Sequence, residues 1–405
     1  MAIQTTSNLT NSIRTQYVAT YLDAAYGMRL YDQFAIPIPG LSMDEAMSGS
    51  SVQFEYLSSM APGTTAINQT ADITPQQLVD ATASVTPTSR GEGLQWSENL
   101  DIQVFTDYAA GRMKKLGENQ QESIELLAQA AALQGTWVER AAARASLDAG
   151  TASHRASDAI FRKMQGKMLT LKVPGFINEA GEANVWGAIM HPYVFHDISE
   201  SGNVDAIGIY QDKGIHLAYE LGQLGSFRLI VNPYAKVFLG AGLDNASAAT
   251  TTLDGATARL ATSFDTADDK ASELEAAPGH LVVIGTEETA NTFYPTNEAV
   301  KVNTVTTTAI SAFVGEGENG GLRFAHDSGV AVRNADSVYT IAFGGPSSLI
   351  KMFEPSVGEF GQVVGPKKTG ILEQFANVGW KFYGGYGLLT ENRIVRGEYS
   401  TSYEA

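Results

Sequence analysis

Residues 118–149 read ENQQESIELLAQAAALQGTWVERAAARASLDA, and the fold follows from how this stretch is read. Ile124, Leu127, Ala131, Val138, Ala142 and Ala145 recur on one face at helical spacing. Alanine, the strongest helix former, is abundant here, and Gly150 supplies a stop. The spacing predicts one helix over 118–149, roughly 45 Å long at about 1.5 Å per residue. Its apolar stripe is narrow, so the helix should lie on a sheet as a girder rather than run through a core.

On the N-terminal side, residues 46–105 are rich in Ser, Thr, Gly, Gln and Pro. Val52, Phe54 and Tyr56 alternate with polar neighbours, as a strand does, and a second alternation involves Leu100, Ile102 and Val104. Between them lies a soft polar excursion through Pro62-Gly63, Thr74-Pro75 and Pro87. Two strands around such an excursion predict an extended arm that is unstable alone and should rest on another subunit. The arm is therefore expected to be needed for assembly but not for folding. Residues 1–45 form a polar arm followed by an amphipathic helical stretch, Thr15 to Tyr31, stopped by Ile36-Pro37-Ile38-Pro39-Gly40.

On the C-terminal side, residues 185–198 predict a strand running through His191-Pro192 into a helix. Residues 227–231 and 235–239 are strand-like. Residues 241–279 carry seven acids against two bases and predict a loop or soft helical excursion. Strand-like runs follow at 280–284, 300–305, 322–324, 330–332 and 338–343. Residues 379–382 and 393–396 predict two closing strands with a Gly-rich bend between them.

The chain has 405 residues, more than one core usually serves, so two or three lobes are expected. Cysteine is absent, which excludes disulfides, thiol chemistry and cysteine-ligated zinc. A net charge of −17 repels phosphates and acidic membranes, which argues against sequence-specific DNA binding. A container wall that repels its nucleic acid would release it readily. No apolar run is long enough to span a membrane. Met1 to Thr10 is polar and lacks the features of a secretory signal, so the expected site of synthesis and assembly is the cytoplasm.

No motif builds a catalytic, cofactor or metal site. Gly315-Glu316-Gly317-Glu318-Asn319-Gly320 matches a dinucleotide fingerprint formally, but a strand-like run follows where a helix is required. Two glutamates also sit where a pyrophosphate would go, so the run reads as a hairpin turn. His191 and His196 are five residues apart and fall on different helical faces, which suits structural histidines better than zinc ligands. Asp265, Asp268, Asp269, Glu273 and Glu275 lack the spacing of a calcium loop and read as a solvated acidic stretch.

The order of parts carries more than any motif. Polar N-arm, extended arm, long helix, mixed α/β lobe and a returning last strand: this resembles the α+β fold of tailed-bacteriophage major capsid proteins, shared with the floor of the herpesvirus capsid. Ile189-Met190-His191-Pro192-Tyr193 and the segment from Glu373 to Phe382 resemble the capsid family of the N-four-like podoviruses. The resemblance implies an N-arm at 1–45, an E-loop hairpin at 46–105 and a P-domain at 106–185 with its spine helix at 118–149. It further implies an A-domain at 186–365 and closing P-domain strands at 366–405. Residues 241–335 depart from the minimal fold as a β-rich insertion in the A-domain.

Val52, Phe54, Tyr56, Ile102 and Val104 would then serve the inter-subunit arm. Ile124, Leu127, Ala131, Val138 and Ala142 would form the face of the spine helix. The implied partners are copies of the same chain in hexamers and pentamers, a scaffolding protein, a portal, and a decoration protein on the insertion. Packaged double-stranded DNA would be touched weakly and without specificity, and no membrane or cofactor is implied. The implied location is the virion shell. Two other readings are an encapsulin-like cellular compartment, which shares the fold, and another virion part such as a tail or decoration protein. A carbohydrate-active enzyme would need a carboxylate pair in a cleft and an export signal.

Overall fold

The computed structural model describes residues 29–37, 52–57, 60–64, 75–98, 108–176, 185–200, 204–206, 217, 219–243, 250–267, 281–286, 288, 294, 296–305, 309–315, 317, 320–359, 361–369 and 374–404. Among the expectations above, most of the Thr15–Tyr31 helix, Ile102, Val104 and the acids from Asp268 to Glu275 lie outside these residues. The chain forms two compact units. One comprises Met1–Ala131 with Ser347–Thr390, the other Ala132–Pro346 with Glu391–Ala405. Residues 132–185 and 391–405 thus cluster with the central lobe, and 347–365 with the long helix.

The long helix α1 runs Tyr108–Leu133, not 118–149. Two local facts explain the shift. Met113 and Leu116 extend the apolar stripe upstream and are buried. Downstream, Gly135 and the β-formers Thr136, Trp137 and Val138 leave the helix, and Val138–Arg140 joins the edge of a sheet in parallel with Arg396–Glu398. Val138 is therefore a strand residue. Ala142 lies beyond the helix and packs against Leu147, Phe238, Ala241 and Val338. The alanine-rich stretch after it forms only a short 3-10 turn, Arg144–Ser146, because Arg144 is tied to Glu398. Tertiary ion pairing here overrides helix propensity.

In the first unit, the strand Phe375–Leu388 is the axis of a five-stranded sheet. Thr88–Ser97 pairs antiparallel along it from Phe375/Ser97 to Gly384/Thr88. Gln362–Thr369 also pairs with its first half, and Leu349–Phe353 with its last five residues. The expected Gly-rich bend is absent: Gly384, Gly385 and Gly387 continue the strand. They let neighbours approach closely, since a Cβ on Gly385 would stand 2.9 Å from the Thr86 carbonyl oxygen. Val378, Trp380 and Phe382 alternate onto one face, where Met113, Leu116 and Ile124 of α1 pack against them. The helix does lie on a sheet as a girder. Trp380 Nε1 donates to Asn119 Oδ1 at 3.0 Å and fixes its register.

A two-stranded ribbon leaves this unit. Val52–Leu57 pairs with Asp80–Val85, from Val52/Val85 to Leu57/Asp80. The strand that returns beside Val52–Leu57 is Asp80–Val85, upstream of the expected run at 100–104, which lies outside the described residues. The sequence hid it because Asp80–Val85 alternates only small and polar side chains, and Thr88–Ser97 is exposed on both faces for most of its length. The chain from Leu30 to Phe34 is buried beside α1, with the Leu30 and Tyr31 amides donating to Glu125 Oε1 at 3.1 and 3.2 Å.

The second unit holds an eight-stranded mixed sheet in which Val338–Gly344 is central. It pairs antiparallel with Trp186–Met190 and Ile394–Tyr399. All residues of the three strands are buried, as expected for strands covered on both faces. Helix α2, Asp158–Thr170, inserts Phe161, Met164 and Met168 into this core. Phe161 meets Phe227 and Phe343 edge-on at 5.7 and 5.4 Å. Helix α3, Pro192–Ser199, starts after Trp186–Met190 as the His-Pro signal predicts, with proline in its first turn.

Between Phe238 and Val338 the chain builds a separate six-stranded sheet from residues 250–333, ordered first strand 250–252, then 331–333, 281–284, 298–305, 309–314 and 263–265. Leu253 bridges Thr266, and Asp254 N donates to Asp265 O at 3.0 Å, so the two outer strands meet and the sheet closes on itself. Closure removes the exposed edges. Leu253, Phe264, Val282, Ile284, Val300, Val302, Ile310, Leu322 and Val332 fill its interior. Each such side chain contributes about 1.5–3 kcal/mol on burial, so this barrel has a core of its own. Residues 250–252 and 263–265 correct the expected loop or helical excursion: they are strands. The run 322–324, expected as a strand, is instead held by turns, because Glu298 accepts the Arg323 and Phe324 amides at 2.7 and 3.2 Å.

Candidate assembly surfaces

The ribbon supplies one surface. Val52 sits at its root and is buried with Val85, Ile350 and Met352, so it belongs to the unit's own core rather than to a contact with a neighbour. Phe54 and Tyr56 occupy the same strand opposite Ala83 and Ala81. Beyond the strand ends, Met60, Leu78 and Val79 are 61%, 46% and 63% exposed. Exposed apolar side chains at these positions make the excursion a candidate docking feature. Composition alone did not single them out, because they are dispersed among polar residues.

Of the expected helix face, Ile124 and Ala131 are buried on α1 and Leu127 is partly buried against the sheet. Val138 and Ala142 have the other placements given above.

The inserted barrel is a second surface. Inside it, His326 Nε2 lies 2.7 Å from Glu298 Oε1, and both side chains are buried. The glycine run behaves as a turn: Gly317 N donates to Gly321 O, and Gly315 N to Gly320 O, each at 2.8 Å, with no helix following. The dinucleotide reading fails on that ground.

Beside the barrel's base, Glu398 is fully buried and gathers three arginines. Arg144 Nη2, Arg396 Nε and Arg140 Nη1 stand 2.5, 3.0 and 3.2 Å from its oxygens. Arg144 also stacks on Phe238 at 3.8 Å. Burial lowers the pKa of Arg396, Glu398 raises it, and the other two arginines lower it again. These groups lock the strand Ile394–Tyr399 to the turn at 144–146.

His196, Asp197 and Glu200 bring possible metal-ligand atoms within 4.8 Å of one another. Both Asp197 oxygens already accept from the Ser402 amide, at 3.3 and 3.1 Å, and Glu200 is mostly exposed. The three residues make a poor cation cage. His191 does not join them: its Nδ1 accepts the Tyr193 amide at 3.2 Å as the cap of α3. Burial pushes its pKa down to about 4.

A scan against protein-family models finds no match, and neither does a search of curated proteins. Comparison with solved structures defines the fold class. The chain has the α+β fold of phage capsid proteins. It is similar to the capsid of Ralstonia phage GP4, with 11% sequence identity, a TM-score of 0.50, and coverage of 87% of this chain and 84% of that one. It is also similar to the capsid of cyanophage P-SCSP1u, at 10% identity, TM-score 0.48, and 92% and 88% coverage. A third similar structure is from Mycobacterium phage Che8, at 8% identity, TM-score 0.47, and 91% coverage of each chain.

Proposed function

We propose that this chain is the major capsid protein of a tailed double-stranded DNA phage and assembles into its icosahedral shell. The observation that carries the reading is the ribbon. A capsid-type fold sends out two strands whose excursion exposes Met60, Leu78 and Val79. Burial of those side chains requires another copy. Repetition of one such contact around symmetry axes gives hexamers and pentamers. The girder of α1 on the Phe375–Leu388 sheet keeps the body rigid while the ribbon reaches out.

The role is structural rather than enzymatic. A separate scaffolding protein, a portal and packaged DNA complete the proposed partners, with assembly in the host cytoplasm and residence in the virion. The similar structure from Ralstonia phage GP4 is a phage capsid, which favours this reading over a cellular compartment. Co-expression with a scaffolding protein should give closed particles in electron micrographs. A chain that stays monomeric under all such conditions would overturn the proposal.

A further inference from the structure

Helix α2 turns one face to the core and another to solvent. Ala159, Arg162, Lys163, Gly166, Leu169 and Thr170 are all exposed, and their spacing puts them on a single helical face. Two features of that face serve nothing inside the chain, and its cations are only partly engaged there. Gly166 stands mid-helix, where glycine is unfavourable, yet a Cβ there would meet nothing within 4 Å. Leu169 is 55% exposed one turn later. Arg162 and Lys163 pair with Asp158 and Glu139 yet keep 77% and 66% of their side chains exposed. At the margin, Trp137 is 38% exposed with the Lys167 ammonium 5.1 Å from its ring centre. Next to Arg162 opens a pocket of about 230 Å³ bordered by Phe161, Gln165 and Leu224. A notch at glycine, an apolar anchor, a half-exposed tryptophan and a cationic border are the anatomy of a protein interface.

Arg162, Lys163 and Lys167 stand against two largely covered carboxylates, Asp158 and Glu139, so the face favours an acidic partner. This chain, at −17, is itself such a partner and is the one present at shell concentration. One end of the barrel offers the complement. Asp254, Asp265 and Asp327 are exposed there, Asp265 as the last residue of the strand 263–265; Asp254 N bonds to Asp265 O and Gly329 N to Leu253 O, at 3.0 and 2.9 Å. Asp158 and Glu139 leave only a small net positive charge on the face, which suits a few singly matched charges better than a polyphosphate of high charge density. We infer that the exposed face of α2 docks the acidic end of the inserted barrel of a second copy. The inference rests on the shell reading and names one of its contacts.

The test uses the full chain co-expressed with its scaffolding protein. Four variants are compared with the wild type: Gly166→Glu; Arg162→Glu with Lys163→Glu; Asp254→Lys with Asp265→Lys; and the last two pairs combined. Melting temperature and circular dichroism of the subunits control for folding, and Gly166→Ala should melt no lower than wild type. Gly166→Glu and each reversal alone should cut shell yield at least tenfold while the subunits stay folded. The combined reversal should restore most of the yield. Three assembly results overturn the inference: wild-type yield from the single reversals, no restoration in the combination, or normal shells that only package less DNA, which would make the face a DNA contact. A lower melting temperature for Gly166→Ala also overturns it, since the glycine would then serve the fold. Failure of the wild type to form shells is a different result, and it sinks the shell reading itself.

Discussion

Val237 and Tyr339 face each other as antiparallel partners, although the whole inserted barrel lies between them in sequence. The chain leaves the central sheet and returns to it at one point. Leu243 O accepts the Asp336 amide at 2.9 Å, so the neck closes before the barrel begins. An insert attached through adjacent ends and owning a filled core is expected to be separable.

Replacing residues 244–335 by a short glycine turn should therefore leave a folded chain. Its circular dichroism should lose strand signal and keep helix, and its melting should stay cooperative. Loss of cooperativity would show that the barrel completes the central core. Gly240 has a φ of +59° beside Val283, so the glycine must be kept at the neck.

Glu398 is the most consequential single charge. Glu398→Gln would leave Arg144 and Arg396 buried without their carboxylate. Breaking a buried pair from one side costs about 3–5 kcal/mol. The denaturation midpoint of the subunit should fall accordingly, and Arg140→Gln, whose side chain is 39% exposed, should cost far less. Equal effects of the two substitutions would contradict the ranking by burial.

How much of this was legible from sequence depends on the residue. The order of parts, the His-Pro junction into α3 and the buried strands at 186–190 and 338–344 were legible, because apolar runs and proline act locally. The end of α1 was not. Residues 141–146 have helical composition, and only the distant Glu398 explains why they turn. The return strand of the ribbon was hidden for the opposite reason: Asp80–Val85 buries too little to show a period. Of the five residues assigned to the inter-subunit arm, Val52 proved to be core. The exposed Met60, Leu78 and Val79 were invisible as a group until the ribbon brought them together.

Acid should weaken the second unit through His191. Its folded pKa of about 4 lies below the usual histidine value of 6.5 because burial disfavours the charged ring. The unfolded chain then binds more protons between those values. Stability is full above about pH 6.5 and is lost as pH falls toward 4, by at most about 3 kcal/mol. Glu404 accepts from Tyr339, whose ring centre lies 5.1 Å from that of His191, and works in the other direction: burial raises its pKa, so it favours the folded state toward lower pH. His191→Asn keeps a helix cap and removes the titrating ring. Its midpoint should vary less between pH 6.5 and 4.5 than that of the wild type. An unchanged pH dependence would assign the acid sensitivity elsewhere.

Covalent cross-linking through the ribbon is not expected. The first lysine of the chain is Lys114, and there is no cysteine. Mature particles boiled in detergent should run as a single band of monomer. A ladder of oligomers would require a bond formed by other residues.

The ribbon can be shortened without touching the fold, and the register says where. Leu57 and Asp80 are partners at its last described pair. Removing residues 58–79 and joining the ends through Asn-Gly makes a two-residue hairpin whose turn type matches the twist of the strands. Val52, Val85, Ile350 and Met352 keep their packing, and Thr88–Ser97 keeps its full pairing with Phe375–Gly384. The shortened chain should melt within a few degrees of wild type and fail to form particles, because Met60, Leu78 and Val79 are gone. Removing residues 50–98 instead takes away Val52, Val85 and a whole sheet strand, and that chain should not fold. Normal particles from the shorter deletion would show that the ribbon tip carries no contact between copies. An unfolded product from it would show that the excursion supports its own unit.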